Sequence, residues 1–181
     1  MGLIRPGVDR TDGTWADLGA GTGAFTLALA ALLEPGAVIH ALDRDAGALR
    51  TLEREAAVLR ERRGAAGAPR IVCLPADFTQ EVFLPPLDGA LVANALHFHA
   101  DACGILRRIA RRLKPGGVLI VVEYDITRPN PLVPHPLPWS RFPEAAACAG
   151  LSGARLLGTR PSAYHRSMYA AACGAAGARL S

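Results

Sequence analysis

Asp17-Leu18-Gly19-Ala20-Gly21-Thr22-Gly23 follows the short apolar run Thr14-Trp15-Ala16 and leads into a second apolar run over residues 24–33. A strand that breaks into three closely spaced glycines and then enters a helix is a nucleotide-cofactor loop. Glycine lets the backbone turn tightly and approach a ligand with no Cβ in the way. The loop positions Gly19, Ala20, Gly21, Thr22 and Gly23 are therefore the first cofactor-binding candidates. Asp17, two residues before the first glycine, narrows the ligand. A dinucleotide brings its pyrophosphate to this turn, over the helix N-terminus, and a carboxylate at the strand tip repels that dianion. A cofactor carrying positive charge is attracted instead.

The next acids fall where an adenosyl group needs them. Residues 37–42 read as a second buried strand ending at Asp43, with Arg44 beside it. That is roughly twenty residues past the glycine loop, the spacing at which a carboxylate reaches a ribose diol in a βαβ unit. A third run, 71–74, is followed by Asp77, placed to accept from an adenine amino group, and by Phe78, placed to offer a ring to the base. Residues 87–94 give a fourth strand with Asn94 at its tip. Residues 113–117, Leu-Lys-Pro-Gly-Gly, are a helix stop and turn into a fifth strand over 118–123. S-adenosylmethionine, with an ammonium and a sulfonium and no phosphate, suits a site with Asp17 at its turn.

In this order the motifs resemble the class I S-adenosylmethionine-dependent methyltransferases. The family's acid-x-Gly-x-Gly-x-Gly motif matches residues 17–23, its ribose acid Asp43, its adenine-side acid Asp77, its fourth-strand segment 88–96 and its Lys-Pro-Gly-Gly turn 114–117. The resemblance runs from about Thr14 to Tyr169. It implies an α/β, Rossmann-like, doubly wound and mostly parallel seven-stranded sheet whose last two strands form an antiparallel hairpin. It also places Asn94 against the methionine part of the cofactor.

At 181 residues the chain is read as one domain, with a short N-terminal segment (1–13) and a proline-rich loop (126–139). Half the residues are apolar, yet no run approaches the 18 or more that span a bilayer. No apolar signal core opens the chain, which makes the cytoplasm the expected location. The four cysteines are scattered without a Cys-x-x-Cys pair, so free, mostly buried thiols are expected, with neither disulfide nor zinc. The net charge is +4, almost all of the positive charge being arginine. Arg107, Arg108, Arg111 and Arg112 lie on a helix whose inward stripe is Ile105, Ile109 and Leu113. A solvated face explains them, and without interleaved aromatics they argue against nucleic acid.

Strands alternate with helices, which means a mostly parallel sheet covered on both faces. Asp45 is expected to cap the helix after the second strand, with Leu49, Leu52, Ala56 and Leu59 on its inner face. The 79–86 crossover carries Pro85-Pro86 and is too short for more than a turn or two. Five prolines in 126–139 demand an extended, stiff loop. Ser140 is expected to cap a helix to about Ala149. Residues 153–159 and 165–172 read as the closing hairpin, including Tyr164, His165 and Tyr169, with fraying from Gly174 onward.

Ligands of open α/β sheets lie beyond the carboxyl ends of the strands, so the catalytic candidates are strand-tip residues. These are Asn94, His97 and His99 after the fourth strand, and Glu123, Tyr124 and Asp125 after the fifth. His97 titrates near neutrality in its free state and suits a general base. The His97-x-His99 spacing has no third ligand, so no metal is expected. Asn94-Ala95-Leu96-His97 departs from the Asn-Pro-Pro-aromatic pattern of nucleic-acid amino-methyltransferases and favours a small-molecule acceptor. His135 and Trp139 are expected to line the acceptor side. The alternatives are an NAD(P)-dependent oxidoreductase, which Asp17 opposes, and a non-catalytic cofactor-binding partner subunit. Only thirteen residues precede Thr14, and such a short N-terminal cover means an open cleft, a large or macromolecular acceptor, or coverage by a second subunit. Neither the acceptor atom nor the oligomeric state is legible.

Overall fold

The computed structural model of the chain describes residues 2–64, 66–162 and 167–175. Seven strands form one sheet: β1 Thr14–Leu18, β2 Val38–Asp43, β3 Arg70–Pro75, β4 Leu87–Ala93, β5 Leu113–Tyr124, β6 Leu151–Arg160 and β7 Met168–Ala175, in the order β3-β2-β1-β4-β5-β7-β6. The first five run parallel, and β7 is antiparallel to both of its neighbours. This is the doubly wound sheet with a C-terminal antiparallel hairpin that the motif order implied. Four helices accompany it: α1 Ala24–Ala30, α2 Ala46–Arg63, α3 Ala102–Ala110 and α4 Phe142–Cys148.

Successive strand residues face opposite sides, and the apolar runs are long enough to bury both. Trp15, Ile39, Leu91 and Ile120 meet α1 and Ile4 on one face. Ala16, Leu18, Val92 and Val121 meet α3 and α4 on the other. The strand order β2-β1-β4 places the switch point beside β1, and the cleft opens at the carboxyl ends there.

Local chemistry sets several boundaries. Asp45 caps α2, its Oδ1 accepting from Gly47 N at 2.7 Å and Ala48 N at 3.1 Å; of the expected stripe only Leu49 and Leu52 are fully buried. The 79–86 crossover forms no helix. Lys114 Nζ donates to Asp88 Oδ2 at 2.6 Å, and Thr14 N donates to the same oxygen at 2.8 Å. That pair ties the start of β5 to β1 and β4 at the end of the sheet away from the cleft.

The structure corrects some expectations. β5 begins at Leu113, not Val118, because Leu113 already pairs with Leu87 before a register shift. Helix α1 stops at Ala30, where Leu32 N turns back to Leu29 O. Ser140 caps nothing: α4 starts after Arg141 without a side-chain cap, and Arg141 N and Phe142 N donate to Pro138 O. Gly174 and Ala175 are paired within β7, opposite Val118 and Leu151. The expected start of the hairpin's second strand at His165, with Tyr164, lies outside the described residues.

The expectation of free thiols fails for one cysteine pair and holds for the other two. Cys103 and Cys148 form a disulfide, with Cα atoms 5.9 Å apart and the two positions 45 apart in sequence. The packing of α3 against α4 brings them together, which spacing along the chain could not announce. Cys173 is buried and free, and Cys73 is half-buried and free. Among the described residues no helix is long and apolar enough to cross a membrane.

Candidate active site

At the carboxyl ends of β1 to β4 lies a cleft of about 420 Å³. The structure brings Gly19, Gly21, Asp43, Asp77, Phe78 and Asn94 to its walls, with Arg44 and Phe98 also lining it. Gly19 has φ +81°, and a Cβ there would sit 2.7 Å from Ala95 Cβ, so the turn admits no side chain. Gly21 has φ +54° and open space where a Cβ would point. Its surroundings leave room for a ligand while its backbone favours glycine. Ala20 packs inward with Ala41, Leu49 and Leu52. Thr22 is exposed, and Gly23 ends the loop as the residue before α1, its N–H donating to Ala20 O at 2.9 Å. Ala20, Thr22 and Gly23 shape the loop and do not line the cleft.

Asp43 is fixed before any ligand arrives. Its Oδ2 accepts from Gly21 N at 2.8 Å and its Oδ1 from Asp45 N at 2.8 Å. Asp77 Oδ1 accepts from Thr79 Oγ1 at 2.7 Å and from Thr79 N at 2.9 Å. These bonds hold the Asp77 carboxyl below the usual carboxylate range, with smaller help from His99 and Arg44. Phe78 meets His99 edge-on, ring centroids 5.8 Å apart.

Asp17 lies beneath the loop, 1% exposed. Its Oδ2 accepts from Thr26 Oγ1 at 2.6 Å, while Oδ1 is buried without a partner. Burial pushes this carboxyl up to about 7; the Thr26 bond opposes the shift and the nearby Asp43 charge adds to it. Asn94, on the neighbouring strand tip, has φ +51° and is the one non-glycine residue with positive φ among those described. Its Oδ1 is also buried without a partner. A strained residue at a strand tip, and two unsatisfied acceptor oxygens on adjacent strands, form a concentration of polar cost that ordinary packing avoids.

His97 stands behind this wall. Its Nδ1 lies 2.7 Å from Glu123 Oε2, both residues fully enclosed. Glu123 Oε1 accepts from Leu96 N at 2.8 Å and His97 N at 3.3 Å. An ionised carboxylate can only accept, so Nδ1 is the donor of this contact, and the neutral tautomer compatible with it has its lone pair on Nε2. Sequence reasoning named His97 and Glu123 separately and missed their pairing. The signal available was adjacency: His97 follows the tip of β4 and Glu123 lies at the end of β5, its neighbour in the sheet. His97 and His99 diverge, one to Glu123 and the other to Phe78. Among the described residues no three His, Cys, Asp or Glu side chains gather as a metal site.

The proline-rich loop behaves differently from its expected role. Trp139 stacks on Phe142 with centroids 6.1 Å apart and meets Tyr169 at 6.0 Å, a core aromatic cluster away from the cleft. Tyr169 Oη donates to Leu137 O at 2.8 Å and fastens the loop to β7. His135 is exposed, and its backbone N–H donates to His97 O at 2.9 Å, so the loop braces the 95–99 turn from outside. The N-terminal segment also avoids the cleft: Ile4 joins the α1-side core and Gly7 lies against Leu157 and Ile120.

Fold and cleft together define a Rossmann-like α/β domain of the methyltransferase type. The chain belongs to the methyltransferase domain family, which it matches over residues 16–119. No curated protein matches the sequence. Among solved structures it is similar to an arsenic(III) S-adenosylmethionine methyltransferase from Chlamydomonas reinhardtii (17% identity, 88% of this chain and 62% of that one, TM-score 0.71). It is similar to the mitomycin 7-O-methyltransferase MmcR (26% identity, 96% and 52%, TM-score 0.65). A methyltransferase from Methanosarcina mazei also aligns (16% identity, 91% and 93%, TM-score 0.65). The chain spans between about half and two thirds of the length of the first two.

Proposed function

We propose that this chain binds S-adenosylmethionine in the cleft lined by Gly19, Gly21, Asp43, Asp77 and Phe78 and transfers its methyl group to a small molecule bearing an ionisable proton. The observation that carries the reading is the pair of buried, unpartnered oxygens, Asp17 Oδ1 and Asn94 Oδ1, at adjacent strand tips. Two unpartnered acceptor oxygens in that position fit the ammonium end of the cofactor better than a pyrophosphate. Asp43, held by Gly21 and Asp45, has carboxylate lone pairs for a ribose diol. Asp77 and Phe78 supply an acceptor and a ring for the base.

When bound, S-adenosylmethionine supplies the activated methyl and its leaving group. The protein's share is orientation, exclusion of water and management of one proton. His97 takes the acceptor's proton at Nε2, because Glu123 holds Nδ1–H and stabilises the imidazolium that forms. Phe98, its ring 4.2 Å from that of His97 and 54% exposed, lies over the imidazole, and acceptor entry displaces it. A base so placed contributes roughly 10²–10⁴-fold. The acceptor is a small molecule and not nucleic acid, and the working compartment is the cytoplasm.

The test is incubation with methyl-labelled S-adenosylmethionine and a panel of small hydroxylated and thiol acceptors. Label transfer that His97→Gln abolishes supports the reading. Tight cofactor binding without transfer to any acceptor would instead favour a non-catalytic partner subunit.

A further inference from the structure

The Cys103–Cys148 bridge lies outside the cleft, and its surroundings are chemically unequal at the two sulfurs. Cys103 is the second residue of α3 and half-buried; Cys148 is the last residue of α4 and exposed. Arg107 Nη2 lies 3.3 Å from Cys103 Sγ and 3.8 Å from Cys148 Sγ, anchored by its bond to Cys148 O at 2.9 Å. The N-terminal end of α3 adds partial positive charge at Cys103, and the C-terminal end of α4 adds partial negative charge at Cys148. Glu144, one turn before Cys148, adds to the negative side. The acid nearest Cys103 along its own helix, Asp101, is engaged as the α3 cap with Gly104 N.

We propose that Cys103–Cys148 is a thiol–disulfide exchange site for low-molecular-weight thiols, with Cys148 as the sulfur attacked and Cys103 as the sulfur released. Exchange is fastest where the attacked sulfur is open and the departing thiolate is stabilised. The incoming thiolate forms a bond to Cys148 Sγ, the S–S bond breaks, and its electron pair leaves on Cys103, beside Arg107. A second thiolate attacks the small-thiol sulfur of the mixed disulfide. That step releases the Cys148 thiolate, which takes a proton from water, and a small-molecule disulfide. Two thiols are oxidised and one protein disulfide is reduced. The free cysteines do not compete: burial pushes the Cys173 thiol up to about 12 and also raises that of half-buried Cys73.

The bridge has a structural consequence. Helix α4 continues from the proline-rich loop, which is bonded to His97 O through His135 N. The disulfide thus fastens loop and α4 against α3, while Ile105, Leu106 and Ile109 hold α3 to the sheet without it. Phe142 and Ala146 hold α4 to the same core, so opening the bridge removes the covalent tie between the two helices, frees the C-terminal end of α4 and raises exchange along residues 126–148 without unfolding either helix. In a reducing compartment a bridge of this kind is transient and sensing in character.

The experiment uses the folded protein, isolated without reductant, exposed to glutathione in native buffer, quenched by alkylation and mapped by peptide mass spectrometry. The expected adduct is glutathione on Cys148 with alkylated Cys103, in roughly tenfold or greater excess over the reverse. Arg107→Gln, an exposed change whose fold a thermal melt checks, slows the reaction severalfold. Hydrogen exchange across 126–148 rises on reduction. Glutathione found on Cys103, no reaction until denaturant is added, an Arg107→Gln rate equal to wild type, or both cysteines alkylated before any thiol is present would each overturn the proposal. The readout is sulfur chemistry and is independent of whether the cleft transfers methyl groups.

Discussion

His97 Nδ1 and Glu123 Oε2 meet at 2.7 Å across the tips of two adjacent parallel strands, in a setting where neither residue is open to water. The contact fixes which ring nitrogen carries hydrogen. Glu123→Gln keeps an oxygen for Leu96 N and His97 N but presents an amide N–H₂ to Nδ1, and so inverts the tautomer. The variant is expected to stay folded and to lose roughly 10²-fold or more in methyl transfer. Glu123→Ala leaves Leu96 N, His97 N and His97 Nδ1 without this acceptor and is expected to lose about 1–3 kcal/mol for each buried donor left unsatisfied. Nitrogen-15 shifts of His97, together with denaturant melts, check both.

Asp43 organises the loop as well as facing the cleft. Asp43→Ala is expected to weaken cofactor binding by about 1.5–3 kcal/mol for each charged hydrogen bond lost. Because Gly21 N loses its acceptor too, slower cofactor association should accompany the loss. Stopped-flow binding measures it; unchanged affinity would reduce Asp43 to a turn-former.

Gly21→Val should abolish cofactor binding while the domain still folds. No protein atom lies within 4 Å of a Cβ at this position, so the damage comes from φ +54° and from crowding the ligand. Circular dichroism with calorimetric titration distinguishes this from unfolding.

Asp17 gives a pH signature. Burial pushes its carboxyl up to about 7, well above the ordinary aspartate range, so the ligand-free fold binds a proton that the unfolded chain has lost. Stability from this group is full below about 4 and declines as pH rises toward 7. Cofactor binding has the opposite slope, because an ammonium favours ionised Asp17. Affinity is expected to rise up to tenfold per pH unit and level off near 7, before the ligand's own α-amino group deprotonates near 7.7–8.0. Asp17→Asn should flatten both profiles. Thermal melts and titrations from pH 5 to 7.5 check the signs.

The sheet and the cleft floor were readable because their determinants are local. A glycine turn, an acid at a strand tip and a proline-glycine stop each act within a few residues, whereas the strand order and the closing hairpin followed from the family resemblance that these motifs carry. What depended on packing was not readable. Glu123 reaches His97 because β4 and β5 are neighbours and both turn the relevant side chains inward. Cys103 meets Cys148 because a loop of five prolines returns α4 to α3. Trp139 looked like a lid residue by its place in that loop, yet its ring found more apolar surface on Phe142 and Tyr169 than over the cleft. Ser140 had the chemistry of a cap, but the Pro138 carbonyl already satisfied the helix's first donors.

Calorimetric titration of the wild-type chain with S-adenosylhomocysteine, with NAD as the competitor, tests the central claim most directly. Saturable binding of S-adenosylhomocysteine at one site per chain is expected, lost in Gly21→Val, with NAD neither binding nor displacing it. Binding of NAD in preference, or S-adenosylhomocysteine binding that survives Gly21→Val unchanged, would contradict it.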